Sequence, residues 1–145
     1  MNLKTKAALA LAAIPAALLL TAGPAAAGAG YDVTHTGGDI AGAWARGNIW
    51  TTSDGRVHLD GKLKDTSSAD KKGAALRIHA VYADGGTRDE EVWNTNGAGT
   101  EVNIGAYSFA SSVRRIQLKE CQLFRASNGG IYVGACAGGT DVWSL

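Results

Sequence analysis

From about residue 44 onward, apolar and polar side chains alternate over short runs broken by Gly, Asn and Asp. No long stretch after residue 30 carries a helical apolar period. That pattern belongs to an antiparallel all-β domain. Trp44 to Leu63 reads as a first hairpin turning at Asp54-Gly55, the dipeptide that best tolerates the two positive φ values of a type I′ turn. A two-residue turn there opposes Thr52 to Val57 and Trp50 to Leu59. Trp50, Val57, Leu59 and Leu63 then share a buried face, and His58, Lys62 and Lys64 a wet one. Leu76, Ile78, Ala80 and Tyr82 alternate with Arg77, His79 and Val81, turn at Asp84-Gly85-Gly86 and return over Arg88 to Asn94. A three-residue loop opposes Ile78 to Val92, His79 to Glu91 and Arg77 to Trp93. Val102 to Ala106 is a short strand and Val113 to Arg125 the longest one. Ile131 to Cys136 pairs back onto the latter through Ser127-Asn128-Gly129-Gly130, and Thr140 to Trp143 closes the chain. Eight or nine short strands predict an antiparallel two-sheet β-sandwich, with a closed barrel as the alternative.

The hydrophobic fraction, 46% of 145 residues, overstates this core, because much of it lies in residues 1–27. Those residues read as a signal peptide: Lys4 and Lys6 precede an apolar run from Ala7 to Leu20, and Ala25-Ala26-Ala27 supplies small residues for cleavage. The run falls short of the roughly 20 residues that span a bilayer. Removing 27 of 145 residues leaves 118, divided into a flexible segment over 28–42 and a β-sandwich domain over 43–145. The chain is expected outside the cell. Its 14 Lys+Arg become 12 against 13 Asp+Glu once Lys4 and Lys6 are gone, a balance that argues against nucleic-acid or membrane partners.

An exported chain with two cysteines, Cys121 and Cys136, is expected to join them. The hairpin supports this independently, because a turn at Asn128-Gly129 places the two directly opposite each other. Such a turn puts them at a hydrogen-bonded pair, the wider of the two spacings. A bulge near Glu120-Cys121-Gln122, where the alternation falters, changes that geometry. Closing a loop of about 15 residues is worth roughly 3 kcal/mol. No C-x-x-C spacing suggests redox chemistry.

Catalytic readings are weak. His35, His58 and His79 are the available bases, but no G-x-S-x-G elbow singles out a nucleophile. Asp89 and Glu91 share a strand face roughly 7 Å apart, within the inverting-glycosidase range of carboxyl separation, yet any D-x-E on a strand meets that test. No zinc pattern occurs. Asp54, Asp60, Asp65, Asp84 and Asp141 sit at turns or strand edges but match no calcium loop, and Asp-Gly is ordinary turn chemistry. The chain is therefore expected to be non-enzymatic, with neither metal nor cofactor.

Binding remains. Trp93, on the polar side of its strand, and Trp143, near the C-terminus, are the candidates for stacking a ligand such as a sugar ring. The small and polar residues around Tyr31, Asp32, Val33, Thr34 and His35 suit a tail that enters a cleft or adds a strand to a partner. The polar loop Asp65 to Gly73 is the one candidate inhibitory loop for a secreted protease.

An Ala-rich signal, a Gly/Thr-rich one-disulfide domain, and the stretch Val57-His-Leu-Asp-Gly-Lys-Leu-Lys-Asp-Thr followed by Ala75-Leu-Arg-Ile resemble small secreted actinobacterial proteins. The likeness points among these to the adaptor subunit of umbrella toxin particles. The resemblance implies a protein that links a lectin-like, trypsin-fold subunit to a toxin-bearing one, with residues 28–38 as its partner-binding element. The expected function is thus a secreted protein-binding adaptor, with a carbohydrate-binding module and a protease inhibitor as alternatives. Deleting residues 28–36 is expected to weaken partner binding and leave the melting temperature nearly unchanged.

Overall fold

A computed structural model describes residues 28–68 and 73–145; the expected signal peptide and residues 69–72 of the Asp65 to Gly73 loop lie outside the described residues. Ten strands run in chain order: β1 (Ala29–Asp32), β2 (Ala43–Thr51), β3 (Val57–Asp65), β4 (Gly73–Tyr82), β5 (Thr87–Asn94), β6 (Glu101–Asn103), β7 (Tyr107–Phe109), β8 (Val113–Arg125), β9 (Ile131–Cys136) and β10 (Thr140–Ser144). They form two open antiparallel sheets. In sheet A the order is β1-β2-β3-β6, with β7 sharing the β6 edge of β3. In sheet B it is β10-β8-β4-β5, with β9 sharing the β10 edge of β8. The sandwich is the architecture, and the barrel alternative falls away.

Alternation along each strand builds the core. Ala45, Ile49, Leu59 and Leu63 of sheet A meet Leu76, Ile78, Ile116 and Leu118 of sheet B between the layers, all nearly or wholly inaccessible to water. Residues of the opposite parity, such as Arg46, Lys62, Arg77 and Lys119, face outward.

All three hairpins turn the same way. Thr52, Tyr82 and Ala126 each donate their N–H to the carbonyl of a residue four ahead (Arg56, Gly86 and Gly130, at 2.8 to 2.9 Å). This encloses the three-residue loops Ser53-Asp54-Gly55, Ala83-Asp84-Gly85 and Ser127-Asn128-Gly129. The glycine of each is left-handed, at φ 78°, 83° and 83°. The Asp or Asn Oδ1 accepts the N–H two residues on, at 3.2, 2.9 and 3.0 Å. This is the type I turn plus bulge rather than the two-residue type I′ turn.

The first hairpin therefore slips by one residue: Ile49 opposes Leu59 and Trp50 opposes His58. Trp50 points out of the core, contrary to the sequence expectation. In the second hairpin Ile78 opposes Glu90, Arg77 opposes Glu91 and His79 opposes Asp89. The slip there is two residues, which preserves every face while changing every partner. In the third, a bulge between Cys121 and Leu123 compensates for the longer turn, so Cys121 still opposes Cys136. The two are disulfide-bonded, with Cα atoms 4.0 Å apart, close to the narrower non-hydrogen-bonded spacing.

Residues 28–42 are an integral part of this sandwich, which corrects the flexible segment expected from sequence. Tyr31 pairs opposite Gly47 and is buried, and Val33 is wholly buried in the common core. Beyond Val33 the chain crosses to sheet B. Gly38 donates its N–H to Thr140 Oγ1 at 2.7 Å, Glu120 N–H bonds the Gly38 carbonyl, and Gly139 N–H bonds the Gly37 carbonyl. The segment is a strap across both layers.

Candidate functional site

The sandwich presents two outer faces of different chemistry. On sheet B, one row runs across four strands: Trp93 of β5, Ala75 of β4, Cys121 of β8 and Cys136 of β9. Leu123, Ile131 and Val133 extend this apolar band toward the β9 edge. Trp93 is 41% exposed, and its indole N–H donates to Glu91 Oε2 at 3.1 Å. The other half of the same face is charged. Arg77 bonds Glu91 at 2.7 Å, His79 Nδ1 lies 2.6 Å from Asp89 Oδ1, and Gln117 and Lys119 continue the polar surface along β8. Ala75, Cys121 and Leu123 are buried, so Trp93, Ile131, Val133 and Cys136 are the members of the band that reach solvent beside this polar flank.

On sheet A the outer face is mostly polar, with Trp44 and Trp50 in its end rows. Its rows are Trp44–Lys64–Glu101, Asp32–Arg46–Lys62–Asn103, Asn48–Asp60 and Trp50–His58–Ser108. Between the second and third rows a shallow trough of about 730 Å³ is floored by Tyr31, Gly47, Gly61 and Gly105. The glycine pair lets the two backbones approach closely there. A Cβ on Gly47 would lie 1.9 Å from the Asp60 carbonyl oxygen, and one on Gly61 2.2 Å from that of Arg46. The Tyr31 ring packs in the core, and its hydroxyl donates to the Asp60 carbonyl at 2.9 Å. Burial, with the Asp60 charge adding, holds that phenol far above the usual tyrosine range.

Several contacts hold the side chains around the trough. Arg46 bonds Glu101 at 2.7 Å and lies 4.1 Å over the Trp44 ring. Trp44 Nε1 donates to Asp32 Oδ1 at 2.9 Å, and the same oxygen accepts the Thr34 N–H. These donors lower the Asp32 pKa, the Thr34 N–H first. Asn48 Nδ2 donates to Asp60 at 3.3 Å. Trp50 stacks on His58 at 5.4 Å, and Thr52 Oγ1 lies 3.1 Å from His58 Nε2.

The residues singled out from sequence are therefore scattered. Trp143 is partly buried and packs against the core, because its parity on β10 places it opposite Ile116. Of the five N-terminal residues, Tyr31 and Val33 are core, which corrects their assignment to a partner. Asp32, Thr34 and His35 stay at the surface, where His35 takes φ 61° and donates its N–H to Asp39 Oδ2. The three histidines do not converge: His58 is on the sheet A face, His79 on the sheet B face and His35 in the strap. Among the described residues no group of three metal-ligating side chains occurs, and no helix is long and apolar enough to cross a membrane. The trough itself was missed from sequence because the one-residue slip reassigned the faces of β2. The G-x-x-x-x-x-x-x-x-x-x-x-x-x-G spacing of Gly47 and Gly61 carries no visible signal.

One carboxyl joins the layers. Glu120 of β8 is wholly buried and accepts the backbone N–H of Ala45 on β2 at 2.5 Å and of Ile40 in the strap at 3.2 Å. Burial, reinforced by the Asp39 side chain, pushes its pKa up to about 8. Compared with protein-family models, curated proteins and solved structures, the chain matches none.

Proposed function

We propose that this chain is a secreted, non-catalytic adaptor that docks another extracellular protein through the outer face of sheet B. The observation that carries the reading is the 41% exposed Trp93 at one end of a band whose partly exposed members are Ile131, Val133 and Cys136, laid over the buried Ala75, Cys121 and Leu123 and bounded by paired charges. A half-exposed tryptophan at the edge of such a band is the residue type that dominates docking energetics. The engagement of His58 by Trp50 and Thr52, and of His79 by Asp89, supports structural rather than catalytic roles for these imidazoles. The resemblance to the umbrella toxin adaptor agrees with a protein partner and with export. The strap leaves Asp32, Thr34 and His35 as a second, smaller contact point.

The test is affinity purification from native culture medium with the mature protein and two variants, Trp93→Ala and Val133→Asp. Partner recovery is expected to fall at least about tenfold, equivalent to roughly 1.4 kcal/mol, while the melting temperature of Trp93→Ala stays close to that of the parent. Undiminished recovery of the same partner by both variants would refute docking through this face.

A further inference from the structure

We infer that the trough on the outer face of sheet A is a second binding site and that its ligand is a neutral oligosaccharide. The site lies on the layer opposite the proposed docking face and does not depend on it. Its six outward side chains are Asp32, Arg46, Asn48, Asp60, Lys62 and Asn103. They comprise two carboxylates, two cations and two carboxamides, so acceptors and donors are both present and the formal charges cancel. An anion would meet Asp32 and Asp60 as well as the cations, and a cation would meet Arg46 and Lys62. A ligand that is uncharged and dense in hydroxyls satisfies every group at once, because each hydroxyl both donates and accepts.

The geometry agrees with that chemistry. The floor is glycine backbone and the anchored Tyr31, and the cavity of about 730 Å³ lies within the range of small-ligand sites. The walls are already held. Asn48 bonds Asp60, Glu101 and the Trp44 ring fix Arg46, and Trp44 in turn anchors Asp32. Preformed walls reduce the ordering cost that binding would otherwise incur. Trp50 does not line the trough itself but stands in the next row beyond Asn48 and Asp60, with one face stacked on His58, where an oligosaccharide long enough to extend past the trough can pack a sugar ring against it. Trp44 differs from it, since the Arg46 guanidinium covers its ring and its role is to position that side chain.

The experiment titrates the mature protein with soluble cellohexaose, chitohexaose and maltohexaose, and with an alginate hexasaccharide as the acidic comparison. Calorimetry and tryptophan fluorescence provide the readouts. At least one neutral hexasaccharide is expected to bind, with Asn48→Ala and Trp50→Ala each weakening it about tenfold or more and Trp93→Ala leaving it unchanged. Asn48 is exposed and Asn103 lies on the short edge strand β6, so Asn48→Ala and Asn103→Ala serve as the variants whose folding is least at risk. Binding of the acidic sugar alone, of none of the four, or with equal affinity in all these variants would overturn the inference. So would occupation of the trough by the adaptor's protein partner, seen as loss of partner recovery in Asn48→Ala.

Discussion

Replacing Glu120 with glutamine should reverse the order of stability between parent and variant as pH rises. The parent carboxyl is wholly buried between the sheets, and its pKa stands at about 8 against 4.5 for the unperturbed group. A folded pKa above the unfolded one means that the native state holds a proton the unfolded chain releases. The resulting stability is fully present below about pH 4.5 and is lost as pH climbs through 8. At 1.36 kcal/mol per pK unit, that window corresponds to on the order of 5 kcal/mol. Glutamine keeps the shape without titrating, but it brings one acceptor where the carboxyl offers two. Either the Ala45 or the Ile40 N–H then loses its partner, at about 1 to 3 kcal/mol. Urea denaturation with the disulfide intact, run from pH 5 to 9, should show the parent ahead at the acid end and Glu120→Gln ahead at the alkaline end. Two stability curves that run parallel across this range would refute the assignment of the buried proton to Glu120.

Tyr31→Ala removes a buried ring and its bond to the Asp60 carbonyl and should cost about 3 to 5 kcal/mol in urea unfolding; a loss below about 1 kcal/mol would mean that β1 is not docked. For the same reason, deleting residues 28–36 should lower the melting temperature by about 10 °C or more, opposite to the sequence-based expectation of little change. Reducing Cys121–Cys136 opens a loop with a sequence separation of 15 and should cost roughly 3 kcal/mol, read as a shift in urea midpoint. Gly129→Ala meets nothing within 4 Å but sits at φ 83°, so only the left-handed backbone opposes it, at about 1 to 2 kcal/mol. Gly47→Ala, which drives a Cβ into the Asp60 carbonyl, should cost clearly more in the same assay.

The hairpins show how local and non-local information divide. Asp54-Gly55, Asp84-Gly85 and Asn128-Gly129 mark their turns correctly, because an Asx residue followed by a glycine free to turn left-handed strongly favours a tight reversal. Whether that turn holds two residues or three is a small local difference, and here the Oδ1 bond to the N–H two residues on accompanies the longer form in all three. One residue of slip is enough to move Trp50 from the core to the surface. A slip of two leaves Ile78 and His79 on the faces their alternation assigns. The cysteine pairing was legible because the bulge offsets the longer turn.

By itself, then, the sequence determined the all-β class, the positions of the turns and the cysteine pairing, since each follows from a short-range rule of periodicity or backbone sterics. Tertiary structure decided what no local rule contains. It docked residues 29–42 as a strand and strap, because Tyr31 and Val33 gain burial only once both sheets exist. It drew the Glu120 carboxyl to the backbone of the opposite layer, and it opened the trough where Gly47 and Gly61 happen to face each other. Each of these depends on residues far apart in the chain meeting across a register, and one residue of register inverts which side chains reach water.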